Sequence, residues 1–449
     1  MSKRVLVFSI VSIILIAMLS SCKPEATPTT GASSSPQSSQ AAAINLNGRK
    51  ISIVAAFDDS PIPGTEYGDL MLKRLNDTEK KYNFKFQFDV LPADQVIPQF
   101  TASAMAGDAL GDLIKVRHYW AFPALVDKKY ILPLDDIFDM TKSNVNADIK
   151  RISTIGGKIY GFSPEKNGVG VITFFNKDMF AKNNFPDLYQ LYSSGNWTWD
   201  KFEEIAKLAT KDTNGDGKTD VWGSGHLEIF QQIEPIIFSF GGSLIEYKDD
   251  KPVSTLTGHG TLACLSFLNK LVMIDKTTEI APAGAAWDYS IQQFQSGKYA
   301  MLIMGQFAAV GLKTNMTDKF GMVPMPKGGT ATNYTNFLPV LHCMVMPSAL
   351  NIDDAKIIAR IYQEYTAPLE ISDKAIRTSI EAYTCDTESV DMQLNLIKSA
   401  EISNHNIYNT PLWTVVAPAM VAAVKGTKTP SAAMNSVEQA WQTAINQTS

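Results

Sequence analysis

Basic residues are in the minority in this 449-residue sequence, and charge of either sign is sparse. Charged residues make up 19% of the chain, and 40 Lys and Arg stand against 45 Asp and Glu, which gives a formal net charge of −5. A nucleic-acid binder needs clustered Lys and Arg to displace counterions from phosphates. This charge balance excludes nucleic acid as a partner.

Cysteine is also scarce, with four residues in the chain. The length is enough for two or three packing units with their own cores, so the fold does not require disulfides. Three Cys follow Cys22, and an odd number cannot pair completely within one chain. Cys264 and Cys343 lie in apolar segments and are predicted to be small core side chains.

Sequence signatures of common enzymes are missing. The five His are scattered, and the chain has neither a Gly-rich phosphate loop followed by Lys and Ser or Thr nor a Gly-x-Ser-x-Gly motif. A carboxylate pair for glycosidic cleavage stays open, because two acids can meet from anywhere in a chain. The sequence therefore favours a binding function over catalysis.

The N-terminus has the pattern of an export signal. Lys3 and Arg4 precede an apolar run over residues 5–19, which is too short to span a bilayer as a helix, and Leu-Ser-Ser-Cys follows at 19–22. This tetrapeptide resembles a bacterial lipobox, in which the Cys becomes the lipidated first residue. We therefore predict a lipoprotein signal peptide over 1–21 and a lipid anchor at Cys22, with an ordinary secretory signal as the alternative.

A tether is predicted over residues 22–44. The segment is rich in Ser, Thr, Pro, Ala and Gln and has almost no large apolar side chain to bury. Removing residues 1–21, which hold two basic and no acidic residues, lowers the formal charge from −5 to −7. The mature protein is thus expected to be acidic and tethered outside the cytoplasm.

Hydrophobic periodicity predicts an α/β fold for the rest of the chain. Residues 51–57, 84–90 and 112–116 have strand patterns, and helical patterns at 69–82 and 96–106 separate them. Short links between such elements predict right-handed βαβ units on a parallel sheet. A second α/β region follows, with strands expected at 169–176 and 299–304, a helix at 200–211 and terminal helices split by Gly426 and Pro430.

An acidic loop at 212–220 has the spacing of a calcium-binding loop. Oxygen-bearing side chains or a backbone carbonyl fall at the positions that a hard cation needs, with Gly at the sharp turn; the predicted ligands are Asp212, Asn214, Asp216, Lys218 and Asp220. Position 12 holds Gly223 where a bidentate Glu is expected, so Glu228 is a candidate for completing the shell. The alternative is a solvated Asp/Asn/Gly turn without a metal.

Aromatic residues are the main candidates for binding a flat, hydroxyl-bearing ligand, because sugar faces stack on aromatic rings. Trp197 and Trp199 flank a predicted helix start and Trp441 lies within the last helix, so all three are predicted to be core. The remaining candidates lie near the ends of predicted elements: Trp120, Trp287, Phe307 and Trp413.

Several collinear segments together resemble family 1 of the extracellular solute-binding proteins, the lipoprotein receptors of carbohydrate ABC importers. They are the lipobox at Cys22, Tyr-Ile-Leu-Pro-Leu-Asp-Asp at 130–136, Gly-Lys-Ile-Tyr-Gly-Phe at 157–162, Phe-Phe-Asn-Lys-Asp-Met-Phe at 174–180, Trp-Thr-Trp-Asp at 197–200, the acidic loop followed by Trp-Gly at 222–223, Phe-Gln-Ser-Gly-Lys-Tyr-Ala-Met at 294–301 and Pro-Met-Pro-Lys-Gly at 324–328.

The resemblance implies a two-lobed periplasmic-binding-protein-like fold, in which each lobe is a mixed or parallel sheet flanked by helices and a hinge joins the lobes. By similarity, lobe 1 is expected to comprise residues 45–162 and 299–340, and lobe 2 residues 163–298 and 341–449. Carried onto matching positions, the implied ligand contacts are Trp120, Glu165, Trp222, Trp287, Phe307, Asn336 and Trp413, with Asp58 and Asp59 as hydroxyl partners. Phe307 stands where the family often has Trp.

The resemblance also implies a function. The chain is expected to be a monomeric, lipid-anchored receptor that captures a carbohydrate, most simply an oligosaccharide, between its lobes and delivers it to ABC permease subunits without catalysing a reaction. Ca²⁺ is the only expected cofactor, and its role is structural. Two alternatives stay open, a surface glycan hydrolase and a receptor of the same fold for a peptide or polyamine.

Overall fold

The computed structural model describes residues 44–142, 144–164, 168–225, 230–249, 251–282, 284–338, 340–398 and 412–446. The predicted signal peptide, Cys22 and all but the last residue of the predicted tether lie outside these ranges. None of the helices in the described ranges is both long and apolar enough to cross a bilayer.

The strands in chain order are β1 (Arg49–Ala55), β2 (Phe84–Val90), β3 (Leu113–Arg117), β4 (Thr154–Ile155), β5 (Lys158–Ile159), β6 (Val171–Asn176), β7 (Trp222–Gly225), β8 (Ile245–Lys248), β9 (Lys251–Ser254), β10 (Thr278–Glu279), β11 (Tyr299–Gly305), β12 (Phe320–Pro324) and β13 (His342–Val345).

The α-helices are α1 (Glu66–Tyr82), α2 (Val96–Met105), α3 (His118–Ala121), α4 (Ala124–Asp127), α5 (Ala147–Ile152), α6 (Lys177–Asn183), α7 (Leu188–Ser193), α8 (Trp199–Ala209), α9 (Phe230–Ser239), α10 (His259–Asn269), α11 (Tyr289–Gln295), α12 (Ala308–Asn315), α13 (Ile352–Tyr365), α14 (Asp373–Glu381), α15 (Thr387–Lys398), α16 (Ala417–Val424), α17 (Pro430–Asn435) and α18 (Glu438–Asn446). Two π-helical turns occupy Lys270–Ile274 and Leu412–Val416.

Two main sheets organise the chain. The first has the order β13-β3-β1-β2, in which β1 runs parallel to β2 and β3 and only β13 is antiparallel. The second has the order β10-β7-β11-β6-β12, in which β10, β7 and β11 are parallel and β6 runs antiparallel to both of its neighbours. The predicted mixed α/β fold is confirmed at this level.

Both sheets are buried on both faces. In β1, Ile51 and Ile53 pack into one core while Val54 packs into another. In β11, Met301 and Ile303 face one core while Leu302 and Met304 face the other. Alternate residues of a strand point to opposite faces, so strands this apolar require helices on each side of the sheet.

The local sequence explains where the helices near the first sheet begin and end. Thr65 caps α1 by accepting a hydrogen bond from the Gly68 amide, and Asn83 ends that helix in the left-handed conformation. Asn351 caps α13 in the same way, by accepting from the backbone amides of Asp353 and Asp354.

Sheet membership corrects the predicted lobe boundaries. Strands β11 and β12 pair with β6 in the second sheet, although residues 299–340 were expected in lobe 1. Strand β13 pairs with β3 and α13 packs into the core of the first sheet, although residues 341–449 were expected in lobe 2. We therefore call residues 44–162 and 338–365 the first lobe, and residues 171–324 and 387–446 the second lobe.

With this division, the described elements, taken in chain order, pass between the lobes three times. The first crossing follows Phe162, which bridges Met344 of β13, and ends at β6. The second leads from β12 back to β13. The third leads from α13 to α15, whose Met392 and Leu396 pack into a core of the second lobe.

Candidate functional site

The carboxyl ends of two parallel strands meet at one edge of the first sheet. Phe57, Asp58 and Asp59 follow β1, Arg117 ends β3, and Trp120 lies in α3 directly after it. Ligands of open α/β sheets bind at this kind of edge, because the loops that follow the strands leave a crevice there. The structure thus brings together three of the predicted contacts, Asp58, Asp59 and Trp120.

A buried lysine lies among these residues. Lys115 Nζ is 3.0 Å from Asp59 Oδ1, and the Lys115 side chain is only 7% exposed. The same ammonium lies 4.9 Å from the ring centroid of Phe57, which meets the His342 ring edge-on at 5.2 Å. The Phe57 ring is 41% exposed and is therefore available for contact.

Asp58 has a different environment from its neighbour Asp59. Its side chain is exposed, and Oδ1 accepts a hydrogen bond of 2.9 Å from the Ser60 amide. This hydrogen bond stabilises the carboxylate and lowers the pKa of Asp58. Asp58 is therefore an exposed acceptor at the sheet edge, as the hydroxyl-partner hypothesis requires.

The first lobe also has an arginine that stacks on Trp120. The guanidinium carbon of Arg117 lies 4.6 Å from the centroid of the half-buried Trp120 ring, and Nη1 donates to Tyr119 Oη at 3.1 Å. Sequence reasoning missed Phe57, Lys115 and Arg117. The available signal was two basic residues at alternate positions in an otherwise apolar strand, which is unusual for a buried parallel strand.

Exposed aromatic rings lie at the corresponding edge of the second sheet. Phe307 follows the carboxyl end of β11 and is 61% exposed, and Trp287, two residues before α11, is 68% exposed. A Cβ atom at Gly305 would lie 2.5 Å from the Phe307 ring, so glycine there lets the ring lie against the strand end. Phe307 therefore follows a strand end, as its sequence position indicated, and its contact with a ligand stays a prediction.

Asn336 joins two of the crossings. Its Oδ1 accepts from the Gly170 amide at 2.8 Å, and its Nδ2 donates to the Gly168 carbonyl at 2.9 Å. Close approach makes Gly170 necessary, because a Cβ there would lie 1.7 Å from the Phe337 carbonyl oxygen. The Asn336 side chain is buried and both ends of its amide serve the backbone, so the structure places it in the hinge.

Trp222 lies at the other edge of the second sheet. It pairs with Tyr299 at the start of β11, whereas Phe307 follows the end of that strand. At about 3.3 Å per residue these two edges are roughly 20 Å apart. The structure thus separates Trp222 from the other predicted contacts, and its ring packs partly buried against a core of the second lobe.

The acidic loop lies before Trp222, near the same amino-terminal edge. Asp212 accepts hydrogen bonds from the amides of Asn214, Gly215 and Gly217, and Asp220 accepts from Thr213. These hydrogen bonds favour the ionised carboxylates and lower the pKa values of Asp212 and Asp220. Within the described ranges no three His, Cys, Asp or Glu side chains are grouped so as to hold a metal. Calcium binding here stays a prediction.

Three predicted residues fall where the structure gives no side-chain description. Glu165 and Glu228 lie outside the described residues. Trp413 lies in the π-helical turn Leu412–Val416, but its side chain is among those not described.

A buried carboxyl group in the second lobe was not predicted. Glu234 in α9 is 2% exposed, and its Oε1 has no hydrogen-bond partner among the described residues. Burial disfavours the charged form and raises the pKa of Glu234 to about 8.

The three tryptophans that were predicted to be core are buried. The ring nitrogen of Trp197 donates to the Pro324 carbonyl, that of Trp199 to the Ser239 hydroxyl, and that of Trp441 to the Leu244 carbonyl.

The family model of the bacterial extracellular solute-binding proteins matches residues 63–356, about two thirds of the chain. The chain belongs to this family. Membership confirms the resemblance in the sequence and the expectation of an extracytoplasmic solute receptor. It also removes the hydrolase alternative, because members of the family are receptors and not enzymes.

Solved structures confirm the two-lobed fold of this solute-binding protein. The maltose/maltodextrin-binding domain MalE from Bdellovibrio bacteriovorus, bound to maltotriose, is 18% identical with a TM-score of 0.60, over 89% of this chain and 99% of that one. The substrate-binding protein Lmo0181 from Listeria monocytogenes, in complex with cycloalternan, is 16% identical with a TM-score of 0.62 and the same coverage.

A third neighbour has a ligand of another class. UgpB from Mycobacterium tuberculosis, in complex with glycerophosphocholine, is 13% identical with a TM-score of 0.63, again over 89% of this chain and 99% of that one. A search of curated proteins found no match. At these identities the likeness shows the fold, while the ligand has to be argued from the site.

Proposed function

We propose that the protein captures an oligosaccharide between its two lobes and delivers it to an ABC importer. The observation that carries the proposal is the set of exposed aromatic rings at the ligand-binding edges of both sheets, namely Phe57, Trp287 and Phe307. Exposed rings at these edges present large, rigid, flat apolar area, and sugar faces stack on such rings. Two neighbours of the same fold were solved with oligosaccharides, which supports the assignment.

Polar groups of the first lobe would complete the recognition of such a ligand. The exposed Asp58 carboxylate can accept hydrogen bonds from sugar hydroxyls, and the Arg117 guanidinium can donate them. Closure of the lobes would bring these groups and the Phe307 ring onto one ligand. The energy for closure would come from contacts that exist only in the closed state.

We also propose that the mature chain is a monomer held at the membrane by a lipid on Cys22. The basic, apolar and small-residue segments that precede Cys22 support this proposal, and the tether would give the receptor reach towards its permease. Expression of wild-type protein and the variant Cys22→Ala tests it. Wild type should sediment with membranes and the variant should be released, and equal fractionation of the two would contradict the anchor.

Calorimetry against a ligand panel tests the sugar assignment. The panel contains linear and cyclic oligosaccharides of two to six units, a short peptide, a polyamine and glycerophosphocholine. We expect saturable binding of at least one oligosaccharide and none of the other three. Binding of the peptide, polyamine or glycerophosphocholine in preference to every sugar would instead identify a receptor for a non-sugar solute.

A further inference from the structure

Arg117 is a cation at the first sheet's ligand edge for which the described residues supply no counter-charge. Lys115, two residues earlier, has its charge compensated by Asp59 at 3.0 Å. Among the described residues no carboxylate lies within salt-bridge distance of the Arg117 guanidinium. Its polar contact is the neutral hydroxyl of Tyr119.

The guanidinium is held in a defined orientation. The Trp120 ring lies under it at 4.6 Å, and the Nη1 bond to Tyr119 Oη fixes its rotation. Stacking of this kind leaves the edge of the guanidinium, with its remaining N–H groups, directed away from the ring face. A planar fork of donors fixed in this way matches the two oxygens of a carboxylate.

Burial makes the lack of a counter-charge among the described residues significant. Arg117 is already half-buried, and lobe closure would remove more water from this edge. A buried charge is costly unless it is paired and hydrogen-bonded. A sugar hydroxyl would accept hydrogen bonds from the guanidinium but leave its charge uncompensated. A carboxylate on the ligand would supply both the hydrogen-bond acceptors and the compensating negative charge.

We propose that the ligand is an acidic oligosaccharide, one that contains a hexuronic acid, and that Arg117 binds its carboxylate. This inference rests on the proposed sugar-receptor function and narrows the class of sugar. The formal charge of the whole chain is −5, so long-range attraction does not favour an anion. Selectivity for the acid must therefore come from the short-range contact with Arg117.

A matched pair of ligands tests the proposal on the unmodified protein. Trisaccharides of galacturonate, glucuronate and mannuronate are titrated into the intact chain by calorimetry, beside neutral trisaccharides that include maltotriose. The acidic sugar that binds most tightly is then compared with its methyl ester, which keeps the skeleton and loses the charge. Because charge-assisted hydrogen bonds are about twice as strong as neutral ones, we expect the ester to bind on the order of 10- to 100-fold more weakly.

Variants assign the selectivity to one side chain. Arg117→Met should reduce the difference between acid and ester to within about threefold, and Arg117→Lys should retain part of it, because lysine keeps the charge but loses the fork. The control is Arg360→Met, an exposed arginine of α13 in the same lobe, which should leave both affinities unchanged. Thermal melting of each variant shows whether it is folded. If a variant does not fold, the comparison of the acidic sugar with its methyl ester on the unmodified protein still tests the proposal.

Each outcome bears on a separate claim. Equal binding of acid and ester, or tighter binding of a neutral trisaccharide, would overturn the acidic-ligand inference and leave the sugar receptor standing. Unchanged selectivity in folded Arg117→Met would overturn the role of Arg117. Binding of neither sugar class would contradict the proposed function itself.

Discussion

At the scale of single residues, truncation of Phe307 should weaken ligand binding with little effect on stability. The ring is 61% exposed, so its loss costs little core packing. Truncation of a central aromatic contact costs about 2 kcal/mol or more, and 1.4 kcal/mol corresponds to tenfold in affinity. We expect Phe307→Ala to weaken oligosaccharide binding by roughly tenfold or more in calorimetry, with an unchanged Tm.

The control for Phe307 is Leu208→Ala. Leu208 is an equally simple exposed apolar residue of the second lobe, 51% exposed in α8. Its replacement should change neither affinity nor Tm. A Phe307→Ala variant that binds as tightly as wild type would remove the ring from the site.

Asn336 should matter for stability because it serves the hinge backbone. Asn336→Ala leaves the buried Gly170 amide without its partner, and it removes the part-buried hydrogen bond to the Gly168 carbonyl. An unsatisfied buried group costs about 1–3 kcal/mol, so urea unfolding should show a loss of about that size. Asn315→Ala is the matched control, since exposed Asn315 also donates to a backbone carbonyl, that of Gly311. Equal unfolding midpoints for the two variants would contradict the hinge role.

Glu234 should make the stability depend on pH. Its pKa is raised from 4.5 to about 8 in the folded protein, so between these pH values the folded state holds a proton that the unfolded chain has lost. The free energy of unfolding must then fall as the pH rises from about 4.5 to about 8. In Glu234→Gln this contribution is absent. In urea titrations, the free energy of unfolding of the variant should therefore rise relative to that of wild type from pH 5 to pH 8. Parallel pH profiles would show that Glu234 is ionised in the folded state.

The fate of the candidate residues shows what sequence can tell about a site. Phe307 was found because it follows a strand with a clear apolar pattern. Lys115 and Arg117 were missed, because their roles depend on contacts with Asp59 and Trp120. No local sequence pattern predicts such contacts. Trp222 was taken for a contact because it follows the acidic loop, yet it begins β7 and so lies at the opposite edge from Phe307.

At the scale of elements, the acidic loop supports a prediction about calcium. Binding of a cation to the folded state alone raises Tm by mass action. We expect millimolar Ca²⁺ to raise the Tm of wild type and a chelator to reverse the increase. In Asp216→Asn, which keeps the acceptor for the Lys218 amide but loses the charge, the increase should be smaller. An unchanged Tm under all of these conditions would indicate a turn without a metal.

Local periodicity predicted the elements more successfully than their partners. The segment from β1 to β3 was anticipated in order, since its strands alternate and its helices have apolar faces and caps. The lobe assignment of β11, β12 and β13 was wrong, because antiparallel pairing with β6 and β3 joins residues more than a hundred positions apart. Such long-range pairing leaves no periodic trace in the sequence.

At the scale of the whole molecule, the three crossings determine how the lobes can move. Two of them are joined by Asn336, and the Gln306 amide also bonds the Gly170 carbonyl at 2.8 Å, directly before Phe307. The hinge is therefore connected to the end of the strand that presents the Phe307 ring. A ligand held between this ring and the first lobe would favour a bend at the crossings, in the manner of other hinged proteins.

Small-angle X-ray scattering with and without the oligosaccharide that binds most tightly in calorimetry tests the central claim most directly. If the sugar lies between the lobes and draws them together, the radius of gyration must fall at saturation, and Phe307→Ala must need a higher sugar concentration to reach the same value. A radius of gyration that stays constant while calorimetry shows full occupancy would contradict capture between the lobes.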